Sequence, residues 1–304
     1  MEQAIQFLGI GAARSGSSWL WKQLRLHDEI WMPPVKELHY FDRSLSYPSP
    51  SYLASDSAFK RLFGRESRNR QFRRRLFKEL VKDVVWFRPS NLSWTCRYFL
   101  EPCSIEWYKS LFEKGGSRLK GEITPAYSIL EQEDVVSIAE SFPDLKVLFL
   151  IRNPIYRAWS HAKYDYTTGK ISDLENVNEV KILVDKPVQE LRSDYLRTYQ
   201  IWAEVFGKDQ VYVGFYDRIE EDPEGLLTEI GDFLGISSPE SLFSPQDSQR
   251  RVNASKSTKI PKQVRLCLAR KYTEDLKALQ ELFGSYAEEW VNEAEAVLAN
   301  GSRQ

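Results

Sequence analysis

Residues 7–20, Phe7-Leu8-Gly9-Ile10-Gly11-Ala12-Ala13-Arg14-Ser15-Gly16-Ser17-Ser18-Trp19-Leu20, read as an apolar strand, a loop of small residues and the start of a helix. Such a segment presents backbone N–H groups and a helix N-terminus to an anion. The spacing from Gly11 to Gly16, followed by Ser17-Ser18, mimics the nucleotide-binding pattern G-x-x-x-x-G-K-[ST]. Ser17, however, stands where the lysine that reaches the β/γ-phosphates belongs. The loop suits a phosphate but not ATP, with Arg14, Ser17 and Ser18 as side-chain donors. A second apolar run, Val147 to Ile151, empties into Arg152 and the helix start Asn153-Pro154. Ligands of open parallel sheets sit outside the carboxyl ends of the strands, so Arg14 and Arg152 are expected to converge on one crevice. Ser160, about two helical turns further on, can add a hydroxyl to the same group. Two anion sites on one sheet imply a ligand with phosphates at two ends.

This pair of motifs resembles the sulfotransferases that use 3'-phosphoadenosine-5'-phosphosulfate, in particular the bacterial and heparan-sulfate-type members. In that family a loop like Arg14-Ser15-Gly16-Ser17-Ser18-Trp19-Leu20 holds the 5'-phosphosulfate. The pattern R-[DN]-P-x-x-R-x-x-S, here Arg152 to Ser160, holds the 3'-phosphate through its first Arg and its Ser. Pro34-Val35-Lys36-Glu37-Leu38-His39-Tyr40-Phe41 resembles the family's K-E-x-H-[FY]-F segment, and Gly121 to Ser128 its [EK]-x-[ST]-P-x-Y segment. Arg251-Val252-Asn253-Ala254-Ser255-Lys256 resembles the cofactor-covering loop of bacterial members, which adds Arg251, Asn253 and Lys256 to the implied cofactor contacts. The resemblance spans roughly residues 5 to 262. The chain departs from it at Arg14, where many members carry Lys, and at Ser15-Gly16-Ser17, where many carry Gly-Gly-Thr or Ser-Gly-Thr. Arginine keeps the charge but cannot donate a proton at ordinary pH, so Arg14 is expected to act electrostatically.

The resemblance gives Glu37 the role of general base for the acceptor hydroxyl or amine, with burial expected to raise its pKa toward a useful value. Lys36 and Arg14 would offset charge on the transferring sulfonate and the bridging oxygen. His39 would orient Glu37 or line the acceptor pocket, and Lys36, His39, Thr124 and Tyr127 are the candidate acceptor contacts. No metal is required. Each residue also has a plainer reading: Lys36-Glu37 as a surface ion pair, His39 as a core histidine, Thr124 and Tyr127 as shaping a turn around Pro125. Three functions stay open: a sulfotransferase releasing 3'-phosphoadenosine-5'-phosphate, a P-loop kinase or NTPase, and a non-catalytic nucleotide- or glycan-binding protein. The acceptor is expected to be a glycan, with a lipid, small molecule or carrier-bound intermediate as alternatives.

Positioning these residues requires an α/β fold, a parallel sheet with helices on both faces. Strands end near Ile10, Met32, Ile123, Ile151 and Phe215, and helical stretches run over Trp19 to Leu26, Tyr195 to Phe206 and Asp222 to Gly235. The 304 residues, 42% hydrophobic, are enough for one domain over 1–298, with a helical insertion near 56–100 and a disordered tail at 299–304. The three cysteines have no metal-like spacing and are expected to be apolar core residues. No apolar run spans a membrane and the N-terminus lacks a basic leader, so a cytoplasmic protein is expected. Net charge is −1, yet Lys60 to Arg88 holds eleven Lys or Arg against three acids. Phe72, Leu76, Phe77, Leu80, Val81 and Val84 recur there at helical spacing, predicting one amphipathic helix with a basic face. It is either a solvated surface or a contact for an anionic glycan or membrane; nucleic acid is not expected. Trp86, Phe87, Trp94, Tyr98 and Phe99 are candidates for lining a ligand cleft.

Overall fold

The computed structural model describes residues 3–48, 51–85, 89–238 and 259–301. Five strands, β1 (Phe7–Gly11), β2 (Ile30–Trp31), β3 (Leu119–Ile123), β4 (Lys146–Ile151) and β5 (Val211–Phe215), form one sheet in the order β2-β3-β1-β4-β5. Every pair is parallel, with Phe7 opposite Gly121 and Lys146, and Val147 opposite Val211. Parallel strands buried on both faces read as unbroken apolar runs, which is why β1 and β4 were legible as strands. Alternate residues serve opposite faces. Leu8, Ile10, Val147, Phe149 and Ile151 pack with Tyr195, Trp202 and Tyr272, while Phe7, Ile123, Leu148 and Leu150 pack with Trp19, Leu24, Leu227 and Ile230.

Helices flank both faces: α1 (Ser17–Leu26), α2 (Ala58–Phe63), α3 (Ser67–Val85), α4 (Pro89–Leu100), α5 (Ile105–Ser110), α6 (Gln132–Ser141), α7 (Pro154–Thr167), α8 (Val177–Val184), α9 (Pro187–Leu191), α10 (Tyr195–Phe206), α11 (Asp217–Glu221) and α12 (Pro223–Leu234). Two further helices, Lys262–Phe283 and Tyr286–Gly301, close the chain. The second covers 299–301 of the tail expected to be disordered at 299–304, and 302–304 lie outside the described residues. The segments after β1, β2, β3 and β4 all leave the carboxyl edge of the sheet, so residues 12–16, 32–42, 124–131 and 152–153 share one side of the molecule.

The basic segment is two helices rather than one. α2, capped by the Ser57 hydroxyl on Lys60 N, stops at Gly64, and α3 restarts at Ser67. Within α3, Phe72 is buried, but Phe77, Val81 and Val84 of the expected apolar stripe are exposed. Trp94, Tyr98 and Phe99 line no cleft; they are core residues at 2% exposure or less, and Trp86 and Phe87 lie outside the described residues. All three cysteines are free thiols, and Cys103 accepts a hydrogen bond from the buried Arg61 at 2.6 Å.

Candidate functional site

The loop after β1 turns into α1 through two left-handed residues, Arg14 (φ 71°) and Gly16 (φ 89°). A Cβ at Gly16 would lie 2.2 Å from Ile219 Cδ1, so the position demands glycine on both counts. The turn aims the first N–H groups of α1, which have no acceptor inside the helix, at the carboxyl edge of the sheet. Arg14 Nη2 donates to the Ser160 carbonyl at 3.3 Å, and Arg152 Nη1 donates to the Arg14 carbonyl at 3.4 Å. The two motifs therefore meet, as their places on adjacent strands imply. Each guanidinium is steadied over a ring: Arg14 at 4.7 Å from the Tyr164 centroid, Arg152 at 4.1 Å from that of Tyr216. Lys163, one turn beyond Ser160, joins them, and burial together with the Arg152 and Arg14 charges holds its amine below the ordinary lysine range. Arg14 is lowered too, by burial first and by neighbouring Arg152 and Arg157, against the opposing pull of Tyr164 and Asp165. Cations that repel one another beside a helix N-terminus make a site that fits a multiply charged anion.

Ser15 and Trp19 turn their side chains inward, Ser15 fully buried and Trp19 in the core below α1. Gly16, Ser18 and Ser160 are half-buried, and Ser17 is buried beneath Lys36. Arg251, Asn253 and Lys256 lie outside the described residues.

Lys36 links this site to the next. Its Nζ donates to Ser17 Oγ at 3.2 Å, Ser18 Oγ at 3.1 Å and Glu37 Oε1 at 2.8 Å. Glu37 also faces His39 Nε2 at 3.6 Å, and His39 Nδ1 donates to Asp42 at 2.7 Å. A chain of alternating charge thus runs from the phosphate loop through Lys36, Glu37 and His39 to Asp42. The expectation that burial would lift the Glu37 pKa is overturned. Burial does push it up, but the His39 hydrogen bond and the Lys36 charge outweigh that and hold the carboxyl far below its ordinary range. Burial likewise pushes His39 down, yet Asp42 first and Glu37 second raise it to about 9. The histidine is an imidazolium at neutral pH, and Glu37 a carboxylate.

Glu37 (φ 64°) and His39 (φ 56°) are non-glycine residues in left-handed conformations, which persist only where surroundings over-determine them. Those surroundings are specific. Arg75 of α3 donates to the carbonyls of Lys36 and Glu37, Tyr98 donates to the Leu38 carbonyl at 2.9 Å, and Leu38 N donates to Glu122 at 3.1 Å. Glu122, at the end of β3, is buried and also accepts from Thr124 Oγ1 (2.6 Å), Tyr108 (2.8 Å) and Tyr127 (2.8 Å). Burial raises its pKa, and the four donors oppose that shift. Thr124 and Tyr127 were expected to touch the acceptor. Both are fully buried with their hydroxyls on Glu122, and Tyr127 also accepts from Tyr40 N at 3.0 Å, so they brace the Glu37 loop from below.

Sequence reasoning missed Asp42, Lys163, Glu122 and Arg75. The first two had signals: Asp42 stands three residues after His39 and Lys163 three after Ser160. Glu122 lay within a quoted segment, but only its burial shows what it does. Arg75 is 38 residues from Glu37, and nothing local marks it. Among the described residues no group of three or more His, Cys, Asp or Glu is arranged to hold a metal ion.

A parallel sheet whose carboxyl edge carries a P-loop-like turn from β1 into α1, with Arg152 and Lys163 beside it, defines a P-loop-type α/β protein. Residues 7–240 match the model of the sulfotransferase family, and the chain belongs to that family of transferases. It is 27% identical over 143 residues to the heparan sulfate glucosamine 3-O-sulfotransferase 3B1 of Mus musculus, a match covering 43% of this chain and 35% of that protein. With the heparan sulfate glucosamine 3-O-sulfotransferase 6 of Homo sapiens it shares 26% identity over 149 residues, covering 46% of this chain and 43% of that one. The match thus spans less than half the length of these relatives. A sulfotransferase from Alicyclobacillus acidocaldarius has the same fold, with a TM-score of 0.63 at 20% identity over 94% of this chain and 98% of its own.

Proposed function

We propose that this protein transfers the sulfonate group of 3'-phosphoadenosine-5'-phosphosulfate to a hydroxyl or amino group of an acceptor, a carbohydrate in the first instance. The observation that carries the reading is the coupling of the Arg14 loop to Arg152 and Ser160, with Lys36 joining that loop to Glu37. When bound, the donor supplies an activated sulfonate on a phosphate leaving group. Gly16, Ser17, Ser18 and the first turn of α1, together with Arg14, would hold its 5' end; Arg152 and Ser160, with Lys163 beside them, would hold its 3' phosphate.

Glu37 takes the proton as the acceptor oxygen or nitrogen bonds to sulfur and the bond from sulfur to the bridging phosphate oxygen breaks. His39 is protonated below about pH 9 and cannot be the base at neutral pH, whereas Glu37 is ionised throughout. So low a pKa makes Glu37 a weak base, the consequence of the Lys36 and His39 pairs that hold it charged and oriented. Lys36 donates to the loop hydroxyls and to Glu37 and so lies where it can offset charge on the departing phosphate. Asp42 and His39 keep Glu37 oriented. The heparan sulfate relatives support a glycan acceptor.

Calorimetric titration with 3'-phosphoadenosine-5'-phosphate, with ATP and magnesium, and with 5'-AMP tests the donor assignment. Binding that needs the 3' phosphate and no metal is expected, and preference for ATP with magnesium would overturn it. Mass spectrometry of a panel of glycans incubated with donor then tests the acceptor.

A further inference from the structure

α3 has two unlike sides. Its inner side carries Asn69, Phe72 and Asp83, all buried, and half-buried Leu76 and Leu80. Arg75 reaches from its flank to the Lys36 and Glu37 carbonyls. Its outer side carries Arg70, Arg74, Phe77, Lys78, Val81, Lys82, Val84 and Val85, all exposed. At 100° per residue these eight fall within about 160° of the helix circumference. The apolar members are far from incidental surface: Phe77 is 70% exposed, Val84 and Val85 each 63% and Val81 41%. Both acids of the helix point elsewhere, Asp83 buried against Thr95 and Glu79 mostly covered and paired with Lys82. On α2, Phe59 and Phe63 are 70% and 68% exposed, and their rings meet only each other, with centroids 4.7 Å apart, among the ring pairs of the described residues.

We propose that the outer face of α3 docks on an anionic lipid bilayer. Arg70, Arg74 and Lys78, with Lys82 held to Glu79 at the edge of the arc, are interleaved with four exposed apolar side chains and are complementary to a surface of negative headgroups over hydrocarbon. The cations meet headgroups while phenylalanine and valine enter the acyl boundary. A soluble polyanion would satisfy Arg70, Arg74, Lys78 and Lys82 but leave Val81, Val84 and Val85 in water, so charge and apolarity together select the bilayer. Because Arg75 ties the same helix to the Glu37 loop, docking would place the site beside the membrane, within reach of an acceptor carried there. The inference does not rest on the transfer reading.

The test is flotation of the full chain with vesicles of phosphatidylglycerol and phosphatidylcholine, against pure phosphatidylcholine, at low and high salt. Binding to the anionic vesicles alone, falling as salt rises, is expected. Arg74→Glu/Lys78→Glu and Phe77→Ser/Val81→Ser/Val84→Ser should each lower partitioning at least tenfold, with circular dichroism and 3'-phosphoadenosine-5'-phosphate titration unchanged because these side chains face solvent. No binding to anionic vesicles would overturn the proposal. So would binding that the serine variant leaves intact, or tighter salt-sensitive capture by heparin that only the charge reversal abolishes, which would make the face a polyanion site.

Discussion

Arg14 donates through Nη2 to the main-chain carbonyl of Ser160 at 3.3 Å and so fastens the loop after β1 to the helix after β4. Arg152 returns the contact to the Arg14 carbonyl at 3.4 Å. Each anion motif is therefore part of the scaffold of the other. Losing either arginine should disturb both ends of the ligand, beyond the loss of one charged hydrogen bond worth about 1.5–3 kcal/mol. Arg152→Ala is expected to weaken 3'-phosphoadenosine-5'-phosphate binding by about a hundredfold, and Ser160→Ala by about tenfold. Calorimetry decides; equal affinities in wild type and Arg152→Ala would remove Arg152 from the site.

Glu37→Gln separates chemistry from binding. The amide preserves the shape of the 36–39 loop but cannot accept the acceptor's proton. Transfer is expected to fall by about 10²–10⁴, the usual worth of a general base, with donor-product affinity within about threefold of wild type. Single-turnover mass spectrometry and calorimetry on one preparation read both quantities. A parallel loss of affinity would make Glu37 part of the anion site.

The parts of this site legible in the sequence are those whose chemistry is local. The phosphate loop, Arg152 with its helix start and the five strand ends each depend on a run of neighbouring residues, and buried parallel strands advertise themselves as apolar runs. The Glu37 pKa went the other way because a left-handed turn brings His39 back onto the carboxylate beside the Lys36 charge, which spacing does not disclose. The fate of Phe77 and Val81 was hidden for a related reason. Periodicity shows that a helix has an apolar stripe, but the direction of the core is settled by what packs against it, here Arg75 and Phe72 on the Glu37 side. The break at Gly64 was readable, since a glycine within a helical pattern lowers its stability.

Glu122 is expected to act on turnover while touching no substrate. It collects Leu38 N, Thr124, Tyr108 and Tyr127 on one buried carboxylate, and through Leu38 it sets the backbone that carries Glu37 and His39. Glu122→Gln replaces one acceptor oxygen by an NH₂ facing hydroxyl donors, a mismatch costing about 2 kcal/mol or more in urea denaturation. Tyr127→Phe should cost about 1 kcal/mol and release Tyr40 N. Both should lower kcat and spare donor-product affinity. Unchanged kcat in a folded Glu122→Gln variant would dissociate the brace from the chemistry.

The His39 ion pairs give the protein an alkaline limit. His39 is raised from 6.5 to about 9 by Asp42 and Glu37. A raised pKa means that the stability it contributes is complete below pH 6.5 and is lost as pH climbs through about 9. Glu37 is depressed, so its share is complete above its ordinary value of 4.5 and is lost progressively as pH falls below that. Stability from this cluster should therefore be flat between about pH 4.5 and 6.5 and decline toward pH 9. Transfer should decline over the same alkaline range, as Glu37 loses its oriented partner. His39→Asn keeps a donor toward Asp42 but cannot titrate. It should start lower in stability, by on the order of 2 kcal/mol at pH 6, and show no fall between pH 7 and 9. Urea denaturation of both proteins across that range checks the sign. An equal alkaline loss in His39→Asn would assign the limit to another group.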